Sequence, residues 1–302
     1  MHAPPLDFSS TYPLHDLDEA VQAFDALACG HAPVGTNPVY ARLHNPTVRR
    51  FETALSELEG TTDAVAFASG MAALTASILA ASVVAVAGAV PVLVDNTFAT
   101  PILQNPSAHG AAYVLQSATK FLGGHGDVVA GIVATSRERA ARLRQVRILT
   151  GALLHPLAAY LLHRSLPTLS LRVHAAQQTA TILARRLARH DAVERVLYPE
   201  PDGLQLRGPG AILAFEVSGG LQAAARVMGA VALITPAVSL GSTDTLIQHP
   251  AGLTHRLVPP EVKAELGITD GLLRVSVGLE DAEDLWDDLV HALAAARVRA
   301  AA

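Results

Sequence analysis

The sequence predicts an α/β fold, a mostly parallel sheet followed by a smaller second α/β domain, and three observations predict it. Four short apolar segments, Ala64–Ala68, Val90–Val94, Ala111–Leu115 and Val128–Val133, are continuous rather than alternating, as strands covered on both faces must be. Helical patterns separate strands of this kind, which favours parallel pairing. Polar clusters follow three of the four segments: Ser69-Gly70-Met71, Asp95-Asn96-Thr97 and Ser117-Ala118-Thr119-Lys120. Sheets of this class bind ligands beyond the carboxyl ends of their strands, so the three clusters converge on one edge.

The elements follow in order. Residues 1–45 form an arm rich in Gly and Pro, with one short helix near Asp18 to Ala28. Asn45 caps the next helix, Pro46 suits its first turn and Gly60 ends it. Val48, Phe51, Leu55 and Leu58 fall on one face of it. From Ala64 to Val94 run 31 residues with neither a charge nor a histidine, long enough for a membrane span. The run contains Ser69-Gly70, Thr75, Ser77, Ser82, Gly88 and Pro91 and has no flanking basic cluster. It reads better as strand, helix from Met71 to Ala87, then strand. After Gly151 the character changes: helices over Leu153–Arg164 and Leu169–Arg189, strands at Val193–Tyr198, Ala211–Val217 and Leu272–Val277, and a closing helix from Ala282 to Arg297.

The chain has 302 residues, half of them hydrophobic and 16% charged, with a net charge of -5. That is a globular composition with no basic footprint for nucleic acid. One cysteine, Cys29, forms no internal disulfide and suits a reducing compartment. The first residues lack a signal-peptide pattern, so the expected location is cytoplasmic.

The chemistry starts at Lys120. It is one of two lysines, the other twenty basic residues being arginines. Lys263 lies among charges at a helix start, whereas Lys120 opens the glycine-rich Phe121-Leu122-Gly123-Gly124-His125-Gly126-Asp127. Arginine cannot lose a proton and attack a carbonyl, so a retained amine here points to a Schiff-base lysine; the plain alternative is a surface lysine. An aldehyde cofactor so held needs an acid beside its ring nitrogen, and Asp95 ends a strand 25 residues earlier; such a residue can also be a simple turn former. A phosphate needs backbone N–H groups at a helix start, which Ser69-Gly70-Met71 supplies, with Ser117 and Thr119 adding hydroxyls. Arg274, inside an apolar strand, suits a substrate carboxylate, or else snorkels at an edge. The histidines His44, His125, His249 and His255 lack metal-ligand spacing, and no metal site is expected.

Together these residues resemble the pyridoxal-phosphate enzymes of cysteine and methionine metabolism: cystathionine synthases and lyases, methionine γ-lyase and the sulfhydrylases. Tyr40-Ala41-Arg42-Leu43-His44-Asn45-Pro46-Thr47 resembles the family's tyrosine–arginine arm, which serves the phosphate of a neighbouring subunit. Ser69-Gly70-Met71 resembles the phosphate turn, Asp95 the ring-nitrogen aspartate, Ser117-Ala118-Thr119-Lys120 the Schiff-base segment, and Ser239-Leu240-Gly241 with Arg274 the substrate-carboxylate segments. The resemblance implies a pyridoxal-phosphate transferase fold of type I, with an arm at 1–45, a cofactor-binding domain at 46–150 and a C-terminal domain at 151–302. It implies pyridoxal 5'-phosphate as cofactor, γ-elimination or γ-replacement on a sulfur amino acid, and at least a dimer. A cofactor-binding or interaction protein without turnover is the alternative.

The chain departs from the family between the phosphate turn and the aspartate strand. Helix Met71 to about Ala80 runs straight into Ser82-Val83-Val84-Ala85-Val86-Ala87. Three strand-and-helix units are absent, about 80 to 90 residues at about 30 each. They carry the family's ring-stacking tyrosine and an asparagine near the phenolic oxygen, and no residue here inherits either role. A four-stranded sheet is expected, with the Asp95 strand as a new apolar edge and weakened cofactor binding. A smaller shortening lies near Pro199 to Gly208. Val238 stands where cystathionine enzymes resemble one another in having an acid, so this segment is more similar to methionine γ-lyase and predicts a preference for methionine or homocysteine.

Overall fold

The computed structural model describes residues 4–13, 17–31, 38–85 and 90–296. They fall into two compact units that divide between Leu169 and Ser170, nineteen residues beyond the change of character at Gly151. Helix α6, Pro156–Ser165, belongs to the first unit.

The first unit begins with α1, Leu17–Ala28, and α2, Pro46–Leu58. Asn45 caps α2: its side-chain oxygen accepts from the Thr47 and Val48 N–H groups at 3.0 and 3.1 Å. Val48, Phe51 and Leu55 are buried as the periodicity requires, whereas Leu58, at the helix end, is exposed and the neighbouring Glu59 is buried instead. Four strands follow: β1, Asp63–Phe67; β2, Leu93–Asp95; β3, Tyr113–Gln116; and β4, Gly131–Thr135, with the short helix α4, Thr100–Leu103, between β2 and β3. Their order is β1-β4-β3-β2. β2 pairs with β3 in parallel, and β4 runs antiparallel between β1 and β3. Three strands therefore share one direction, and their carboxyl ends lie at one edge beside the start of β4. β1, β3 and β4 are wholly buried, while β2 is the outer strand and only partly covered.

Two strands begin later than their apolar runs. Val90 and Val92 are 79% and 59% exposed, because among the described residues β2 has a partner on one side only and pairs from Leu93 onward. β4 starts at Gly131, since both backbone groups of Ala130 are engaged by Thr119 (Ala130 N–H to Thr119 Oγ1 at 3.0 Å, Thr119 N–H to Ala130 O at 3.2 Å).

The helix between β1 and β2 is α3, Gly70–Ala85, one continuous element of 16 residues. Ala73, Ala76 and Ala80 pack against Val65, Phe67, Leu115 and Val133 in the unit's core. The last two positions of the expected helix, Val86 and Ala87, lie outside the described residues. No helix among the described residues is long and apolar enough to cross a membrane, and the charge-free run divides into strand, helix and strand.

An ion-pair network unforeseen in the sequence ties α2 and β1 to α5, Arg137–Thr150. Arg147 donates to Glu52 Oε1 at 2.7 Å and to the Ala66 carbonyl at 2.8 Å. Arg144 and Arg49 both reach Asp63 Oδ1, at 2.7 and 2.6 Å. Glu52, Asp63, Arg144 and Arg147 are all buried, so removing one partner leaves an uncompensated charge.

The second unit comprises α7, Leu169–Leu187; β5, Val193–Leu197; β6, Ile212–Val217; α8, Gly220–Ala230; β7, Thr235–Pro236; β8, Leu246–Gln248; α9, Pro260–Glu265; β9, Leu272–Ser276; and α10, Ala282–Ala296. Its sheet runs β5-β6-β9-β8-β7, antiparallel except for β7 with β8. β6 alternates in burial, and its inward Leu213, Phe215 and Val217 join Leu273 and Val275 of β9 and Leu285 and Leu289 of α10 in one core. The short β7 and β8 carry no apolar run long enough to read as strands.

Candidate active site

The carboxyl edge of the first sheet is assembled from three strand ends. After β1, Ser69 caps α3, its hydroxyl oxygen accepting from the Ala72 N–H at 3.1 Å. The cap leaves other N–H groups of the first turn directed outward, with the positive end of the helix dipole behind them. Gly70 lies against the end of β3: a Cβ there would stand 3.0 Å from Ser117 Oγ. Gly131 lets β4 start against the same turn, since a Cβ at that position would collide with the Ser69 carbonyl oxygen. The cradle is thus shaped by two glycines, one opening α3 and one opening β4, of which the sequence motif marks only Gly70. Met71 is 68% exposed beside it.

At the end of β2, Asp95 is exposed, and its Oδ1 accepts from Thr97 twice, from N–H at 3.0 Å and from Oγ1 at 2.5 Å. The Thr97 hydroxyl oxygen in turn accepts from the Ser117 N–H at 2.8 Å. Thr97, to which the motif assigns no role, therefore couples the carboxylate to the β3 end. Asn96 N–H extends the pairing to the Leu115 carbonyl at 2.8 Å.

Beyond β3 the chain turns at once: the Lys120 N–H donates to the Ser117 carbonyl at 3.0 Å, and the Gly124 N–H to the Lys120 carbonyl at 2.8 Å. Lys120 is half-buried. Thr119 faces β4 rather than solvent, fixing the loop through Ala130. Ser69, Gly70, Asp95, Ser117 and Lys120 are thereby brought to one edge.

Tyr40 and Arg42 are stacked on each other, the guanidinium carbon 5.4 Å from the ring centroid, and Tyr40 is exposed. Tyr40 is bridged to Thr11, and Arg42 also donates to the Ile148 carbonyl at 3.4 Å.

In the second unit Arg274 sits on β9 and donates to the Ser239 carbonyl at 2.6 Å. Ser239 adopts φ of 93°, a strained turn that aims its carbonyl. Gln248 is paired with Arg274 across β8 and β9. With its amide oxygen toward the guanidinium, the orientation that satisfies both groups, it accepts from Nη1, Nη2 and Nε at 3.0, 3.1 and 3.2 Å. Burial pushes Arg274 below the ordinary arginine range, and among the described residues no acidic side chain pairs with it. Sequence reasoning missed Gln248; its place opposite an arginine is visible only in the strand register.

The edge fits pyridoxal phosphate. A helix N-terminus with a glycine too close to Ser117 for a side chain, a hydroxyl-bearing strand end, an exposed carboxylate and a lysine are the donor set of an aldehyde-bearing phosphate ester. Among the described residues no three His, Cys, Asp or Glu side chains cluster as metal ligands.

Comparison with known proteins agrees. The family model for Cys/Met metabolism PLP-dependent enzymes matches residues 1–85 and 78–294. L-methionine gamma-lyase of Brevibacterium sandarakinum is 46% identical over 375 positions, spanning 99% of this chain and 94% of that protein. The Streptomyces avermitilis L-methionine gamma-lyase is 46% identical over 364 positions, 99% of this chain and 86% of that one. Cystathionine gamma synthase from Xanthomonas oryzae pv. oryzae superposes with a TM-score of 0.85 at 29% identity, over 97% of this chain and 93% of that chain. Since 375 aligned positions exceed the 302 residues present, at least 73 positions of the Brevibacterium relative have no counterpart here. The two family-model segments meet at 78–85, inside α3, which is where the sequence lacks the strand-and-helix units. With its fold, its cofactor edge and its relatives in agreement, the chain belongs to the Cys/Met metabolism PLP-dependent enzyme family, whose members carry out elimination and replacement on sulfur amino acids.

Proposed function

We propose that the chain acts as a methionine γ-lyase-like enzyme, taking L-methionine or homocysteine in preference to cystathionine. Val238, exposed and apolar where an acid would suit cystathionine's second amino group, supports this choice, as does the resemblance to the L-methionine gamma-lyases. The observation that carries the reading is the meeting of Ser69-Gly70, Asp95 and Lys120 at one sheet edge.

Pyridoxal phosphate, when bound, supplies an electron sink for the substrate α-carbon. In this reading the α3 N-terminus, Gly70, Met71 and Ser117 would hold the phosphate, while Thr119 fixes the Lys120 loop through Ala130, and Asp95, oriented by Thr97, would hold a proton on the ring nitrogen. Lys120 Nζ would anchor the aldehyde and would be the base that moves the α-proton. Arg274, with Ser239 and Gln248 around it, takes the substrate carboxylate by a two-pronged hydrogen bond. Tyr40 and Arg42 serve the phosphate of a neighbouring subunit, so the working form is at least a dimer. A cytoplasmic location accords with the single exposed cysteine.

The test is the visible absorbance of the protein with added pyridoxal phosphate, beside Lys120→Ala, followed by α-keto acid release from L-methionine and from cystathionine. A band in the parent alone, with faster release from methionine, is expected. A band without release would favour cofactor binding without turnover, and equal bands would remove Lys120 from its role.

A further inference from the structure

Beyond the reading above, we propose a second small-molecule site in the first unit that binds a free α-amino acid as a zwitterion, with Arg164 taking the carboxylate and Asp127 the ammonium group. The glycine-rich loop after Lys120 and the end of α6 border a cavity of about 250 Å³. That is just below the roughly 300–1,000 Å³ of drug-sized ligand pockets, so the occupant is smaller than such a molecule. Asp127 and Arg164 both line it. Neither makes an ion pair or side-chain hydrogen bond among the described residues. Two opposite charges on one small cavity, not neutralising each other, are complementary to a ligand that carries both signs.

Three of the lining residues are hydrogen-bonded to one another. The Gly123 carbonyl accepts from Ser165 Oγ at 2.6 Å and from His125 Nδ1 at 2.7 Å. A carbonyl can only accept, so His125 Nδ1 carries a proton, and in the neutral ring Nε2 is then an acceptor. Nε2 adds a second acceptor for an ammonium group beside Asp127. The loop runs directly from Lys120 through the Gly124 N–H to Lys120 carbonyl bond. An amino acid held here would therefore rigidify the segment that carries the lysine.

The experiment is equilibrium dialysis of L-norleucine, which has no leaving group on its γ-carbon, against the cofactor-loaded protein. The parent is compared with Arg164→Gln, Asp127→Asn and Arg274→Gln. Expected is a saturable component weakened at least about tenfold by Arg164→Gln and by Asp127→Asn and kept in Arg274→Gln, which removes the substrate-carboxylate arginine instead. Hexanoate, lacking the ammonium group, should compete at least about tenfold less well. Norleucine binding unchanged in both Arg164→Gln and Asp127→Asn, or abolished by Arg274→Gln alone, overturns the site, and equal competition by hexanoate overturns the zwitterion. Should either variant misfold, the His125 ring resonances of the parent provide the reading: shifts that saturate with norleucine support the site, and their invariance overturns it.

Discussion

Thr97 is the hinge pin of the cofactor edge, donating its hydroxyl proton to Asp95 Oδ1 at 2.5 Å while accepting from the Ser117 N–H at 2.8 Å. One side chain thus orients the carboxylate on β2 and holds it in register with the end of β3. Thr97→Val keeps the shape and removes both bonds. Loss of a hydrogen bond to a charged group costs about 1.5–3 kcal/mol, so pyridoxal phosphate should bind about 10- to 100-fold more weakly by fluorescence titration, with Thr97→Ser restoring most of it. Unchanged affinity in Thr97→Val would show that Asp95 needs no such support.

Gly131 admits no side chain, because its Cβ would collide with the Ser69 carbonyl oxygen, and backbone cannot swing aside as a flexible side chain does. Gly131→Ala should lower stability by about 1–3 kcal/mol and displace the β1–α3 turn. Thermal melting and cofactor titration should fall together; a variant with parental values in both would contradict the close approach.

Arg274 has no acidic partner among the described residues and is held by the Ser239 carbonyl and Gln248, so its charge is set aside for a ligand. Arg274→Gln should raise KM for the amino acid at least about tenfold with kcat less affected, and Arg274→Lys should recover only part, since a point charge cannot copy the planar fork. A rise confined to kcat would point to a different role.

His44 sits among Arg49, Arg144, Arg147 and Glu52. Burial pushes its pKa down to about 4, with the arginines acting in the same direction and Glu52 against it. A histidine kept neutral in the fold is protonated first in the unfolded chain. Stability is therefore full above the unfolded pKa near 6.5 and declines as pH falls from there to about 4, by up to about 3 kcal/mol. Glu52 adds to the acid sensitivity: burial alone would raise its pKa, yet Arg147, Arg144 and Arg49 hold it below the usual carboxylate range. Urea midpoints measured from pH 7 to pH 4 should fall more steeply in the parent than in His44→Gln, and parallel curves would remove His44 from the account.

The outer strand β2 bears on handling of the protein. Val90, Val92 and Phe98 are exposed around an edge that has one side unpaired among the described residues, a template for strand addition. Val92→Lys should slow aggregation, followed by light scattering at raised temperature, without shifting the melting midpoint; unchanged scattering would place the hazard elsewhere.

The amino-acid sequence by itself determined the four strands of the first sheet to within about three residues, the cap at Asn45, the three polar clusters at the strand ends and the place along α3 where the family's further strand-and-helix units are absent. Each is written locally, in apolar runs, turn residues and the spacing of a lysine from an aspartate. It did not determine what depends on register and on distant side chains meeting. Thr97 as the link from Asp95 to Ser117, Gly131 as the space for Ser69, Gln248 opposite Arg274, and the buried Glu52–Arg147 and Asp63–Arg144 pairs all join residues well separated along the chain, up to 95 apart. Leu58 shows the same limit: its place on the apolar face was legible, but its exposure was not, because burial at a helix end depends on what packs there. Local chemistry selects the elements, and only the tertiary structure decides which side chains they bring together.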